Sequence, residues 1–390
     1  MHKYLIVNTG SASKKYSLFV GDKEAAFLHI ETENGEYIST FVCDSGSEKS
    51  KITSREFEKS LDYLVSILIK KTFILSKEDI FGVGIRVVAP GVYFEQNHII
   101  DKEFLKNIKN AGEKAPLHIE AISAEIKKLL KFFGKSVPIV GVSDSAFHTG
   151  MPDKSRFYAI PLSDSKEYEI YRYGYHGISL GSIVNKLKET GKMAEKMIVC
   201  HVGGGVSITA LKNGKSIDTS MGFTPLEGMV MATRVGDIDS GAVAYLSEVL
   251  GLKGTKLRQY LNKKCGLLGL SGKSDDVREL FKVENENTDV KNALDIYAYR
   301  IQKQIGAYVA ALGGLDLLVF SGTVGERSFK MRQRICNGLD AFGIKLDEKK
   351  NEDTDRLNTA ISTDDSRIRV EVVKTNEMKQ IAEDTRKILG

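Results

Sequence analysis

The first twenty residues carry an apolar pattern that is typical of a β-hairpin. Residues 4–7 are continuously apolar, a Gly/Ser segment follows, and Tyr16, Leu18 and Val20 then fall on alternate positions. Alternation with a period of two residues places one set of side chains on one face of a strand. The segment therefore predicts two strands joined by a turn that lacks large side chains.

The same plan recurs in the middle of the chain. Met197 to Gly214 contains an apolar run, three glycines and a second strand-like run. The offset of 193 residues between Asn8 and His201 also separates Gly10 from Gly203. An internal repeat of this kind indicates two domains of related plan.

The glycines of the two turns allow two interpretations. Glycine in a hairpin turn ordinarily supplies a positive φ. It also lets successive backbone N–H groups approach an anion and form a concavity that holds phosphate. Two such loops on either side of a cleft would hold a phosphate chain.

Elsewhere the pattern alternates between strand and helix. Strand-like runs cover residues 81–88, 137–142 and 315–322. Helical spacing of apolar residues predicts helices over 56–70, 119–133, 293–312, 329–342 and 376–388. The fold class is therefore α/β. We expect a first domain of residues 1–150, completed by the C-terminal helix 376–390, and a second domain of residues 151–375.

Composition excludes several classes of protein. The chain has 390 residues, of which 42% are hydrophobic, enough for a large core divided between two domains. Its 56 Lys and Arg against 51 Asp and Glu give a net charge of +5 with no basic run, so no nucleic-acid or membrane partner is expected. The four cysteines are widely separated, and no stretch approaches the ~20 apolar residues of a spanning helix. A cytoplasmic protein with reduced thiols is expected.

Three charged residues lie beside apolar runs. Arg86 lies inside GVGIRVV, and Arg234 follows the apolar segment MVMAT. A structural ion pair would explain either arginine alone, whereas two arginines could converge on one anion. Asp144 directly follows a strand, so it either caps the next helix or, as a cleft residue, holds a metal or orients a nucleophile.

Histidine, serine and lysine residues near glycines are weaker candidates for functional residues than these three charged residues. His176, in YRYGYHG, has the ordinary interpretation of a packed, hydrogen-bonded histidine, whereas His201 beside three glycines is more suggestive. Ser11, Ser13 and Lys15 follow the first glycine. Their spacing differs from that of a P-loop, so the P-loop class is not supported.

Taken together, these segments resemble the acetate kinase family over nearly the whole chain and in the same order. VNTGSASKKYSLF resembles the family's opening phosphate motif, and DTSMGFTPLEGMVMATRVGDID resembles its long signature almost residue for residue. RYGYHGIS, APLH, SDSAFH, ISTDDSR and KTNE also have counterparts. The resemblance implies a duplicated actin-like (ribonuclease H-like) two-domain fold with a central cleft. It also implies a homodimer formed through the second domain, which would carry the nucleotide site.

The resemblance implies roles for individual residues. The catalytic residues would be Arg86, Asp144, His176 and Arg234. The substrate would be bound by Arg86, Val88, Leu117, Tyr175 and Pro225. The metal, Mg²⁺ or Mn²⁺ in its place, would be bound by Asn8 and Glu377. The nucleotide and its phosphates would be bound by Ser11, Ser13, Lys15, His201, Gly203, Gly204, Gly205, Asp276, Val277, Arg278, Thr323, Gly325, Glu326 and Arg327. By themselves, residues 276–278 predict only a helix N-terminus.

Some positions depart from the family's usual pattern. Residues 89–91 read Ala-Pro-Gly where the family usually has His-Gly-Gly, and Gly204 replaces an asparagine. Thr323 and Arg327 stand at the ends of a loop that usually reads Gly-Ile-Gly-Glu-Asn. The changes at 204, 323 and 327 concern the nucleotide side, because Thr323 adds a side chain and Arg327 adds a charge.

The leading hypothesis is a kinase that transfers phosphate directly between ATP and acetate, giving ADP and acetyl phosphate. GTP or pyrophosphate remains an alternative donor, because of the altered nucleotide loop. Propionate remains an alternative acceptor, because one methylene is worth only ~1–3 kcal/mol. A nucleotide-binding regulator without turnover is the alternative from a different class.

Overall fold

The computed structural model describes residues 1–9, 13–33, 35–353 and 359–390, without the side chains of residues 117 and 118. The strands are β1 (Lys3–Thr9), β2 (Ser13–Val20), β3 (Lys23–Glu33), β4 (Glu36–Cys43), β5 (Gly46–Ile52), β6 (Ile80–Val87), β7 (His98–Ile99), β8 (Ile139–Ser143), β9 (Lys196–Val202), β10 (Val206–Lys212), β11 (Lys215–Thr219), β12 (Leu317–Ser321), β13 (Thr359–Ala360) and β14 (Arg369–Val372).

The helices are α1 (Ser54–Glu58), α2 (Ser60–Lys70), α3 (Lys102–Lys114), α4 (Pro116–Phe133), α5 (Asp153–Arg156), α6 (Leu162–Glu167), α7 (Gly177–Glu189), α8 (Ser240–Val249), α9 (Gly254–Lys263), α10 (Gly266–Ser271), α11 (Val277–Val283), α12 (Thr288–Leu312), α13 (Gly322–Arg327), α14 (Phe329–Cys336), α15 (Glu348–Glu352) and α16 (Glu377–Leu389). Short 3₁₀ turns cover Lys77–Asp79, Val92–Glu95, Ala146–His148 and Asp340–Phe342. In the described ranges, no helix has the length and apolar character needed to cross a membrane.

These elements form two compact units, each built around one sheet. The first unit comprises Met1–Ala146 and Asn376–Gly390, and the second comprises Phe147–Thr375. The first sheet has the strand order β5-β4-β3-β2-β1-β6-β8-β7, and the second has the order β11-β10-β9-β12-β14-β13. The C-terminal helix α16 lies in the first unit and packs on β1, β6 and β8.

Both sheets contain the same five-strand plan. In the first, β3-β2-β1 are antiparallel neighbours, and β6 and β8 then run parallel to β1. In the second, β11-β10-β9 and then β12 and β14 repeat this order and these directions. The duplication predicted from the two glycine hairpins is confirmed.

The two hairpins differ by one residue in their connection. The first hairpin pairs Thr9 with Lys14, whereas the second pairs Val202 with Val206. Three residues therefore lie between the paired positions of the second hairpin, and four lie between those of the first. The offset between equivalent residues changes by one across the turn, which the sequence alignment at a fixed offset did not show.

The parallel strands are the most deeply buried part of each sheet. All residues of β8 and β12 are buried, and only two positions of β6 are half-buried. Strands covered by helices on both faces need apolar residues on both faces, so their sequences lack the alternation seen in β2. The continuous apolar runs therefore predicted these strands to within two residues.

Two predicted helices end differently in the structure. The segment 56–70 is divided between α1 and α2, with a non-helical Lys59 (φ −96°, ψ 36°) between them. This break lets the buried hydroxyl of Ser60 meet Lys14 Nζ at 2.9 Å and Tyr16 Oη at 2.8 Å. The helix predicted over 329–342 ends at Cys336, because Gly338 adopts φ 89°.

Glycines on β6 provide the surface on which α16 packs. A Cβ atom on Gly84 would lie 2.0 Å from Thr385 Oγ1 and 3.0 Å from Ile381 Cγ2. A Cβ atom on Gly82 would lie 2.4 Å from Leu389 Cδ1. The absence of side chains at these two positions therefore sets the distance between α16 and the sheet.

Replacement Gly84→Ala is expected to lower the free energy of unfolding by about 2 kcal/mol, because the added methyl group would force α16 away from β6. Urea unfolding measures this change. Gly112→Ala in α3 is the control, since a Cβ atom there would meet Ile119 Cγ2 at an ordinary 3.5 Å. Equal unfolding midpoints for the two variants would contradict this account of the packing.

Candidate active site

Four polar side chains lie together at the carboxyl ends of the strands of the first unit. Asn8 and Arg86 are the next-to-last residues of β1 and β6, Asp144 directly follows β8, and Glu377 begins α16. Parallel strands deliver their last residues to the same edge of a sheet, which is where α/β proteins bind ligands. The packing of α16 on the glycines of β6 brings Glu377 to this edge.

A network of charges and hydrogen bonds connects these four residues. Arg86 Nη2 donates to Asp144 Oδ2 at 2.9 Å, and Arg86 Nη1 lies 3.9 Å from Glu377 Oε2. Asn8 Nδ2 donates to the same oxygen of Glu377 at 2.7 Å. Burial opposes the charge of Arg86, but the carboxylates of Asp144 and Glu377 outweigh it and raise the pKa of the guanidinium above its ordinary value. The ion pair that the sequence left open for Arg86 is therefore present.

The first hairpin places Lys15 beside this network. Lys15 is exposed and pairs across the strands with Asn8, so both side chains lie on one face of the sheet. Ser13 Oγ lies 2.8 Å from His29 Nε2. Ser11 lies outside the described residues. The role of these residues in phosphate binding stays a prediction.

Two histidine rings lie against each other beside the glycine loop of the second unit, which is formed by residues 203–205. The ring centroids of His176 and His201 are 4.2 Å apart. His176 Nδ1 lies 3.0 Å from Ser207 Oγ, and His201 Nδ1 lies 2.8 Å from Ser179 Oγ, so each serine orients one imidazole. His176 also has a φ of 60°, a left-handed conformation that residues other than glycine rarely adopt. Such strain is concentrated at functional sites.

Arg234 and His176 adjoin one glycine of this loop. A Cβ atom on Gly205 would lie 3.3 Å from His176 Nε2 and 3.5 Å from Arg234 Nη1. Arg234 Nη1 also donates to the backbone oxygen of Pro225 at 3.0 Å. The structure therefore brings together an arginine, a histidine and a glycine loop that are distant in the sequence.

The predicted nucleotide segment α13 begins beside the same loop. Gly322 has a φ of 74°, and a Cβ atom there would lie 2.8 Å from the backbone oxygen of Val202, so this turn requires glycine. The backbone nitrogen of Thr323 lies 3.7 Å from the position of a Cβ atom on Gly203. Thr323 and Arg327, which depart from the family's pattern, are both exposed.

A buried arginine that the sequence analysis missed holds α13 in place. Arg332 is 1% exposed, and its Nη1 donates to the backbone oxygens of Gly325 at 2.9 Å and Glu326 at 3.0 Å. Its Nε and Nη2 donate to Asn351 at 2.8 and 2.6 Å. Burial lowers the pKa of Arg332 to about 10. Glu326 Oε1 also accepts a hydrogen bond from the backbone of Thr375 at 3.1 Å.

The signal that could have revealed Arg332 is its place on the apolar face of α14. That face is otherwise formed by buried Met331, Ile335 and Cys336. Arginine is almost never fully buried unless its donors are satisfied, so such a position predicts a bound partner. The sequence alone could not show that the partner is the backbone of α13.

Residues 276–278 form the start of α11. Asp276 accepts a hydrogen bond from the backbone nitrogen of Arg278 at 2.8 Å and binds its guanidinium. The hydrogen bond from the Arg278 side chain lowers the pKa of Asp276 below its ordinary value. Val277 is buried. Within the described ranges the carboxylate of Asp276 bonds to Arg278 and not to the glycine loop, and the nucleotide role of this segment stays a prediction.

The residues predicted to contact the acyl group are divided between the two units. Val88 follows β6 and is half-buried, and the side chain of Leu117 lies outside the described residues. In the second unit, Tyr175 and Pro225 are buried. Tyr175 Oη donates to the backbone oxygen of Phe223 at 2.8 Å, which connects these two residues through one loop.

The donor atoms around Asn8 and Glu377 fit a hard divalent cation in part. Among the described residues, no group of three or more His, Cys, Asp and Glu side chains could hold a metal ion alone. Mg²⁺ usually takes only one or two carboxylates and completes its octahedron with water and substrate phosphates. The amide oxygen of Asn8 and the carboxylate of Glu377 suit that arrangement, because the 2.7 Å contact between the two side chains places both at one point of the edge.

The fold and these side chains together define a class of protein. Two sheets of one strand plan carry glycine hairpins, paired arginine and carboxylate groups, and oriented histidines near their carboxyl ends. This is a phosphotransferase of the duplicated actin-like fold.

Comparison with known proteins identifies a family within this class. A profile of the Acetokinase family matches residues 3–383, and the chain belongs to this family. The acetate kinase of Thermotoga maritima is 41% identical over 398 residues, which cover 99% of this chain and 98% of that protein. The crystal structure of Porphyromonas gingivalis acetate kinase covers 100% of both chains with 34% identity and a TM-score of 0.86. That of a propionate kinase from Francisella tularensis also covers 100% of both, with 33% identity and a TM-score of 0.89. The resemblance given by the motifs is confirmed.

Replacement Gly205→Ala is expected to lower kcat by about tenfold, because the new methyl group would displace the ring of His176 and the guanidinium of Arg234. Steady-state phosphoryl-transfer assays measure this. Gly150→Ala is the control, since nothing lies within 4 Å of a Cβ atom at that position and Gly150 has no role in the proposed site. Equal activities of the two variants would show that the close approach at Gly205 has no catalytic role.

Proposed function

We propose that this chain is an acetate kinase that transfers the γ-phosphoryl group of ATP to acetate, reversibly and directly in line. A carboxylate oxygen of acetate forms a bond to phosphorus while the bond from phosphorus to the leaving oxygen of ADP breaks. The products are acetyl phosphate and ADP. The best support is the network around Arg86, whose guanidinium is held by Asp144 and Glu377 at the strand ends.

The chemistry depends on positioning and charge neutralisation, since phosphoryl transfer needs little covalent help from the protein. Arg86 and Arg234 bind the acceptor carboxylate and the phosphoryl group in this proposal. His176 donates a hydrogen bond to the equatorial oxygens, in the orientation that Ser207 gives its ring. Asp144 fixes the plane of the Arg86 guanidinium through the 2.9 Å hydrogen bond.

We assign the divalent cation, Mg²⁺ or Mn²⁺ in its place, to Asn8 and Glu377. When bound, the cation neutralises charge on the phosphate chain. Glu377 also lies 3.9 Å from Arg86 Nη1, so the same carboxylate connects the cation site to the acceptor arginine. The nucleotide belongs to the second unit in this proposal, at the glycine loop and α13. The cytoplasmic location predicted from the sequence stays a prediction.

Two observations favour alternative substrates. The solved propionate kinase matches this chain as well as the solved acetate kinase does, with TM-scores of 0.89 and 0.86. Propionate is therefore the second candidate acceptor. Thr323 and Arg327 are exposed at the start and end of α13, which keeps GTP or pyrophosphate as a second candidate donor.

The test is formation of acyl phosphate, trapped as the hydroxamate with hydroxylamine. Acetate or propionate is offered with Mg²⁺ and with ATP, GTP or pyrophosphate in turn. We expect product from acetate and ATP, and no product when the cation is removed with EDTA. Turnover only with GTP or pyrophosphate would indicate that Thr323 and Arg327 of α13 have changed the donor specificity. No turnover with any pair of substrates would favour the nucleotide-binding regulator.

We also propose that two copies of the chain associate through the second unit. The helix α8 carries one charged residue in ten and has no buried residue within a single chain. Its residues Tyr245 and Val249 are 65% and 54% exposed, and Tyr299 of α12 is 57% exposed. An apolar helix with no buried face needs a partner surface. A second copy of the chain is the partner that the family resemblance implies.

The double replacement Tyr245→Glu with Val249→Glu is expected to convert a dimer into a monomer in analytical ultracentrifugation, because it would place charges in an apolar contact. Leu162→Glu is the control, since Leu162 is 58% exposed but lies on α6. A wild-type monomer, or a double variant that stays dimeric, would contradict the assignment of this surface.

A further inference from the structure

One guanidinium ties together both ends of the signature loop, residues 219–227. Arg172 Nη1 donates to the backbone oxygens of Thr219 at 3.0 Å and Ser220 at 3.3 Å. Arg172 Nη2 binds Glu227 Oε1 at 2.7 Å. The loop is therefore closed by a half-buried ion pair between Arg172 and Glu227.

Two tyrosine hydroxyls fix the middle of the same loop. Tyr158 Oη accepts a hydrogen bond from the backbone nitrogen of Phe223 at 2.8 Å and donates one to Glu227. Tyr175 Oη donates to the backbone oxygen of Phe223 at 2.8 Å. Burial and the charge of Glu227 raise the pKa of Tyr158, so the hydroxyl keeps the proton that it donates. Both backbone polar groups of Phe223 are thus held by phenols.

Gly222 permits this arrangement. A Cβ atom there would lie 1.5 Å from Glu227 Oε2 and 2.1 Å from Tyr158 Oη. Any other residue would separate the carboxylate from the phenol. The packing of the loop, its ion pair and its glycine therefore depend on one another.

The same loop carries Pro225, which is hydrogen-bonded to Arg234. Its ring belongs to the proposed acyl wall, and its backbone oxygen accepts the 3.0 Å hydrogen bond from Arg234 Nη1. A shift of the loop would move the wall and the arginine together. Discrimination between acetate and propionate needs a rigid pocket wall, because one methylene changes the binding free energy by only about 1–3 kcal/mol.

We propose that Tyr158, Glu227 and Arg172 are positioning residues that set the size of the acceptor pocket by fixing the loop that carries Pro225. They act through Pro225 and Arg234 and do not touch the substrate. The proposal rests on the proposed function for its substrate, and on the loop geometry for its mechanism. Loss of the Tyr158 hydroxyl would leave the ring in place but free the backbone N–H of Phe223 and one oxygen of Glu227, while Tyr175 would still hold the backbone oxygen of Phe223.

The test is Tyr158→Phe in the full chain. We expect the KM for acetate to rise about tenfold, the value of one lost hydrogen bond of about 1.4 kcal/mol. We expect the preference between acetate and propionate to fall several-fold, while the KM for the nucleotide stays within about twofold. Tyr297→Phe is the matched control, because Tyr297 is a buried tyrosine of the same unit whose hydroxyl has no partner among the described residues. Glu227→Gln is the conservative variant, since an amide oxygen can still accept from Tyr158, and we expect an intermediate effect.

Hydrogen exchange of the backbone amides of residues 220–228 provides a readout that does not depend on activity. We expect faster exchange in Tyr158→Phe and wild-type exchange in Tyr297→Phe. Unchanged exchange, or an acceptor preference that stays at the wild-type value, would overturn the proposal. Equal rises in the KM for acetate and the KM for the nucleotide would also overturn the proposal, since they would indicate a general structural effect. A wild-type chain that forms no acyl phosphate would instead remove the proposed function, and the exchange comparison would still decide whether Tyr158 fixes the loop.

Discussion

The contact between Arg86 and the two carboxylates of Asp144 and Glu377 is the interaction on which the first unit depends. A guanidinium at the end of a buried strand is costly unless its charge is matched. Asp144 comes from the neighbouring strand, but Glu377 comes from the far end of the chain, 291 positions away. The carboxylate reaches Arg86 only because α16 packs closely on the glycines of β6. Sheet, helix and charge network are therefore one arrangement.

In the second unit, glycines allow the backbone to come close to histidine and arginine side chains. Its hairpin connection is one residue shorter, and Gly205 brings the loop backbone within reach of His176 and Arg234. Gly322 does the same at the start of α13, where a Cβ atom would press on the backbone of Val202. A protein that binds phosphate through backbone groups needs such close approach. The duplicated strand plan supplies one hairpin to each unit, and the described residues of the two hairpins carry different side chains.

The sequence could predict features that depend on local pattern or on a single strand. Period-two alternation and continuous apolar runs gave β1, β2, β6 and β8, and the repeated glycine hairpins gave the duplication. The break at Lys59 escaped prediction because the hydroxyl contacts of Ser60 that it permits, with Lys14 and Tyr16, span more than forty residues. For the same reason, the pairing of Glu377 with Asn8 entered only through the family resemblance. Arg172 and Arg332 were not recognised, because their partners are mostly backbone oxygens, which no sequence motif marks.

The buried arginines differ in how many of their guanidinium nitrogens donate to the protein. A guanidinium has five N–H donors. In both Arg332 and Arg172, the nitrogens Nε, Nη1 and Nη2 all donate hydrogen bonds to protein acceptors, so both residues have a structural role. Arg86 is different. Among the described residues its Nε has no hydrogen-bond acceptor, and only Nη2 is bonded at short distance. Buried donors are rarely left without a partner. The Nε of Arg86 therefore stays available to an acceptor outside the described residues, and the anionic substrate of the proposed function would supply one.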